Sequence, residues 1–153
     1  YKPGEGRPEV LTAQIEQSLR SLQTDTIDLY YLHRIDPQTP FEESLGTIAE
    51  HVERGAIRAV GISEVTVEEI ERARKVVDIA AVQNHFNAEH REGEDVIDHC
   101  AEHGIAFVPY FPLAGPGSTG DKLRFLLDRG PHVLPIPGTL SLGHLRENLA
   151  VAG

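Results

Sequence analysis

Apolar, β-prone runs alternate with amphipathic stretches along the whole of this 153-residue chain. That alternation limits the fold more than any other feature. Strands are predicted at residues 27–33, 56–63, 78–84, 105–113 and 133–139. Between them the 3.6-residue spacing of apolar side chains predicts helices at 8–22, 40–53, 66–75, 92–103, 122–128 and 143–151. Residues 1–7 form a Pro/Gly-rich lead-in. The punctuation agrees with this reading. Thr39-Pro40 resembles an N-cap followed by proline at the first helical position. Gly55 and Gly104 stand where helix-ending glycines belong, and Thr66 with Glu69 reads as a capping box.

The run Ile27-Asp28-Leu29-Tyr30-Tyr31-Leu32-His33-Arg34 is nearly continuous in β-formers until it stops at a histidine. Strands of that kind are covered on both faces, which implies a parallel sheet flanked by helices. In such folds chemistry gathers at the carboxyl ends of the strands. Here those ends carry His33, Ser63, Gln83-Asn84, Tyr110 and Thr139, all able to hydrogen-bond or stack. Two layouts suit the alternation, an open doubly wound sheet and a closed eight-stranded barrel. The G-x-G-x-x-G stretch of an open dinucleotide-binding sheet follows none of the strands. A complete barrel takes about 250 residues, so five strands amount to part of one.

The formal net charge of −10 argues against a general nucleic-acid or anionic-membrane surface. One cysteine, Cys100, excludes an intrachain disulfide framework and fits a reducing, cytoplasmic setting. No apolar run approaches the roughly 20 residues of a membrane span. The chain starts without methionine and contains none, so the expectation is that preceding strands are missing.

The ordered set Ser21-Leu22-Gln23-Thr24-Asp25, IDLYYLHR, AIRAVGIS, AAVQN, GIAFVPYFPL and IPGTLSLGHLRENL resembles the aldo/keto reductase family over essentially the whole chain. The resemblance implies a (β/α)8 TIM barrel, represented by about five βα units, with residues 1–153 as one barrel-like domain. It also implies reduction of aldehydes and ketones by hydride transfer from NADP(H), NAD(H) being possible. The family works with an Asp, Tyr, Lys and His tetrad. His33 matches the histidine, and the other three lie upstream of Tyr1 in the family's order. Ser63 and Gln83 match residues that hold the nicotinamide carboxamide, although Glu64 stands where the family has asparagine. Tyr110 matches the aromatic residue stacked on the nicotinamide, and Leu113 belongs to the loop near the pyrophosphate. Gly138, Thr139, His144, Glu147 and Asn148 match the segment around the adenosine 2′-phosphate and adenine. Gly138 replaces a common lysine there and His144 a common arginine, which removes permanent charge.

Other motifs are set aside on chemistry. His99, Cys100 and His103 share a helix, but no third ligand at diagnostic spacing accompanies them, so no metal is expected. Gly115 to Lys122 imitates a phosphate loop, with Asp121 in the lysine position and Leu123 in place of Ser/Thr. The implied partner is a small carbonyl substrate. The alternative reading is a non-catalytic cofactor-binding or regulatory fragment of the same fold, lacking the catalytic Asp, Tyr and Lys.

Overall fold

The computed structural model describes residues 3–152, and Tyr1 and Lys2 of the predicted lead-in lie outside the described residues. The chain divides into two compact units, Tyr1–Ala81 and Val82–Gly153. The elements run α1 (Pro8–Leu22), β1 (Ile27–Leu32), α2 (Phe41–Glu53), β2 (Ile57–Ser63), α3 (Val67–Arg74), β3 (Ile79–Gln83), α4 (Glu94–His103), β4 (Ala106–Phe107), α5 (Thr119–Leu127) and α6 (Leu142–Ala152). Strand order follows chain order, β1-β2-β3-β4, as successive βα units produce. Among the described residues no helix is long and apolar enough to cross a membrane.

In the first unit β1 and β2 pair in parallel, with Ile27 opposite Ile57 and Leu32 opposite Ile62. Tyr31 lies opposite Gly61, and a Cβ on that glycine would stand 2.4 Å from the tyrosine ring. The ring therefore folds over bare backbone, and only glycine fits beneath it. Leu11, Ile15, Leu45, Ile48, Ile57, Ile62 and Ile70 are buried, each contributing roughly 1.5–3 kcal/mol relative to exposure.

Capping in this unit partly departs from expectation. Pro40, with φ −54°, is itself the N-cap of α2, and the Thr39 hydroxyl donates to Asp36 Oδ2 at 3.0 Å instead of capping. Gly55 takes φ +76° just past the C-cap of α2, and Ala56 N reaches back to His51 O at 2.9 Å, the expected left-handed closure. The capping box of Thr66 and Glu69 forms as predicted.

The second unit is less regular. The fourth strand, predicted over 105–113, is regular only at Ala106–Phe107. Val108 N still donates to Val82 O at 2.8 Å and Tyr110 N to Asn84 O at 3.1 Å. Pro109 and Pro112 have no N–H to extend the ladder. The fifth predicted strand is absent as a strand, leaving a parallel bridge between Phe107 and Val133. Two hydrogen bonds, Phe107 N to His132 O and Leu134 N to Phe107 O, are followed by Pro135 and Pro137, which cannot donate.

Phe86 and Phe107 meet edge to face in the core of this unit, and Phe86 stacks on Phe125. The guanidinium groups of Arg91 and Arg129 lie over the Phe125 ring, and both arginines pair with Glu94. These pairs, Arg129 first, hold the Glu94 carboxyl below its ordinary value. Helix α5 begins three residues earlier than predicted because Ser118 caps it, its hydroxyl accepting from Asp121 N at 3.2 Å.

Candidate active-site and cofactor-binding residues

His33 follows β1 directly and is exposed. Ser63 closes β2 and is only 1% exposed. One nitrogen of Arg34 links them, donating from Nη1 to His33 O at 2.9 Å and to Ser63 Oγ at 3.1 Å. A hollow of about 110 Å³ beside them is lined by Tyr30, Tyr31, His33 and Arg34, together with Glu5 and Gln14. Burial pushes the Tyr30 and Tyr31 phenols above their ordinary values, opposite to what a proton donor near neutral pH needs. Those tyrosines do not take the place of the tetrad tyrosine.

Behind β1, Asp36 organises the loop. Its Oδ2 accepts from Gly6 N at 3.0 Å and from the Thr39 hydroxyl, and its Oδ1 from Gln38 N at 3.0 Å. Burial alone would raise this carboxyl, but backbone N–H groups of Gly4, Gln38 and Gly6 and the Thr39 hydroxyl carry it below the ordinary carboxylate range. Gly6 is required, since a Cβ there would meet Asp36 Cβ at 2.6 Å.

Gln83, half-buried, ends β3 in the second unit. Tyr110, Leu113 and Gly138 line one cavity of about 690 Å³ with His85, Phe111 and Ile136. The His85 ring is stacked nearly parallel on Tyr110, centroids 5.1 Å apart, and on His90 at 4.0 Å. Asn87, 1% exposed, steadies this corner: its Nδ2 lies 3.2 Å from His85 Nε2 and donates to Phe111 O at 3.1 Å. Lys122 Nζ donates to Leu113 O at 3.0 Å and ties down the following loop. A Cβ on Gly138 would meet nothing within 4 Å.

Thr139 Oγ1 accepts from Ser141 N at 3.1 Å at the approach to α6. His144 and Glu147 are exposed on that helix. Asn148 differs from both. It is 7% exposed, borders a separate groove of about 400 Å³ with Leu145, Leu149, Pro135 and Pro137, and neither side-chain amide atom has a partner. A buried amide without hydrogen bonds costs about 1–3 kcal/mol, which sets Asn148 apart from the other buried polar side chains among the described residues.

Sequence reasoning did not assign roles to Arg34 or His85. The signal for Arg34 was a permanent cation placed immediately after the strand-end histidine. His85 carried no such signal, because Tyr110, the proposed cofactor residue it stacks on, is distant from it in the chain.

Residues 2–124 match the model of the aldo/keto reductase family. An uncharacterized oxidoreductase of Schizosaccharomyces pombe is 40% identical over 166 residues, covering 97% of this chain and 54% of its own length. Pyridoxine 4-dehydrogenase of Escherichia coli is 37% identical over 166 residues, covering 94% of this chain and 58% of its own. Among solved structures, a thermostable aldo-keto reductase in complex with the inhibitor epalrestat superposes with TM-score 0.87 at 30% identity, covering 98% of this chain and 63% of that one. The chain belongs to the aldo/keto reductase family. Its fold is the α/β barrel type of that family, and it spans a little over half the length of the curated relatives it matches.

Proposed function

We propose that residues 1–153 form part of one barrel domain of an NADP(H)-dependent reductase acting on aldehydes or ketones. The observation that carries this reading is the shared cavity of Tyr110, Leu113 and Gly138, three residues expected at the nicotinamide, pyrophosphate and phosphate positions of one extended cofactor. The unpartnered amide of Asn148 also fits, because an adenine offers both a donor and an acceptor on an apolar ring. The bound cofactor supplies the hydride. Tyr110 offers the aromatic face on which a nicotinamide lies, while Ser63 and Gln83 offer polar groups to its carboxamide. His33 orients the substrate carbonyl and polarises it by hydrogen bonding. Thr139 and His144 act around the adenosine 2′-phosphate, and Glu147 joins Asn148 at the adenine. Gly138 leaves that region without a lysine, so NADH is accepted alongside NADPH. A cytoplasmic protein with a small-molecule substrate is the corresponding setting.

The test uses protein expressed from its complete reading frame. NADPH binding is followed by fluorescence, and turnover by loss of NADPH absorbance with benzaldehyde. Binding with turnover is the expected result. Binding without turnover favours the non-catalytic cofactor-binding alternative, and absence of both overturns the reading.

A further inference from the structure

We propose that Arg34 recognises a carboxylate on the substrate, so that acidic carbonyl compounds are the preferred class; this rests on the reductase reading above. The guanidinium is anchored along one side only. Its hydrogen bonds to His33 O and Ser63 Oγ both leave from Nη1. The opposite edge, Nε and Nη2, donates to nothing among the described residues, and it presents the two parallel N–H groups that grip a carboxylate in bidentate fashion.

Charge balance points the same way. The chain has 11 arginines by sequence and a net charge of −10, so carboxylates are plentiful. Nine of those arginines, at positions 7, 20, 54, 58, 72, 74, 91, 124 and 129, pair with one. Among the described residues Arg34 has no such pair, although Glu5 lines the same hollow. A half-buried guanidinium left without a counter-ion, held against two strand-end residues of the proposed site, is poised for an anion that arrives with the substrate. A mere brace between strand ends would need no positive charge.

The experiment compares 4-carboxybenzaldehyde with benzaldehyde as substrates for the complete protein with NADPH. The expected kcat/KM ratio favours the carboxylated aldehyde by roughly 10-fold or more, the scale of a charge-assisted hydrogen-bond pair. Arg34→Gln brings the ratio close to one, and Arg34→Lys keeps part of it. A ratio near one in the unsubstituted protein overturns the inference, as does an equal fall for both substrates in Arg34→Gln. If neither aldehyde is turned over, the reductase reading fails on its own account. Calorimetric binding of 4-(hydroxymethyl)benzoate in the presence of NADP then judges Arg34 separately. Binding weakened roughly 10-fold in Arg34→Gln supports the anion site, and unchanged or absent binding overturns it.

Discussion

Among the described residues the two units differ at a single buried polar side chain, Asn148, since Asn87 of the second unit is as fully hydrogen-bonded as the buried polar groups of the first. In the first, buried polar side chains are tied to protein partners: Asp36 accepts hydrogen bonds from Gly6 N and Gln38 N, Ser44 donates to Gly6 O at 2.7 Å, and Ser63 accepts from Arg34. In the second, Asn148 is buried with neither amide atom satisfied, and leucines 142, 145 and 149 of the same helix are exposed. Well-satisfied networks define a single local structure. An unsatisfied amide at the edge of an apolar groove holds binding potential in reserve. The first unit thus has a hydrogen-bonded surround for His33, the residue proposed to polarise the carbonyl. The second keeps one buried amide without a protein partner among the described residues.

Both units nevertheless share one local device. Glu64, with φ +57°, follows Ser63, and Phe111, with φ +52°, follows Tyr110. Each is a non-glycine residue in left-handed backbone immediately after a proposed cofactor residue. Strain of that kind, on the order of 1–3 kcal/mol per residue, collects at functional sites.

The largest expected effect breaks the chemistry assigned to the first unit. His33→Ala lowers kcat/KM by about 100-fold or more, the usual contribution of such a residue, while leaving NADPH binding by fluorescence intact. Next comes packing. Gly61→Val drives a side chain into Tyr31 and destabilises the protein by about 1–3 kcal/mol in chemical denaturation.

Asn148→Leu probes the second unit and has the opposite sign. Removing two unsatisfied polar atoms raises unfolding free energy by about 1 kcal/mol. NADPH binding weakens roughly 10-fold, because leucine offers the adenine no hydrogen bond. A loss of stability in this variant would show that the amide is already satisfied and would erase the contrast between the units.

Asp36 sharpens the comparison through pH. Its folded-state value lies below the ordinary 3.8, so the ionised form is favoured by folding. That stabilisation is complete above the ordinary value and is lost as pH falls from about 4 through the folded value. Asp36→Asn therefore flattens the acid limb of a stability-versus-pH curve. The smallest effect is expected at Gly138, where space is open. Gly138→Lys changes stability by less than about 0.5 kcal/mol and tightens NADPH roughly threefold through a solvent-screened phosphate contact.

The sequence by itself determined the order of strands and helices, because apolar periodicity and caps such as Thr66 with Glu69 are local signals. It also placed His33, Ser63 and Gln83 at or next to strand ends, since polar residues closing apolar runs are visible without coordinates, whereas Tyr110 lies three residues past β4 in an isolated bridge with His85. It overstated the last two strands, because β-prone residues at 105–113 and 133–139 outweighed prolines whose missing N–H groups stop a ladder. Only the tertiary structure decided that Arg34 commits one guanidinium nitrogen to the protein and leaves an edge open, and that His85 backs the Tyr110 ring. It alone turned Asn148 inward on a helix whose leucines face out. Those outcomes depend on residues far apart in the chain meeting in space. Hydrogen-bond partners and burial at such meetings are set by packing, which local periodicity does not encode.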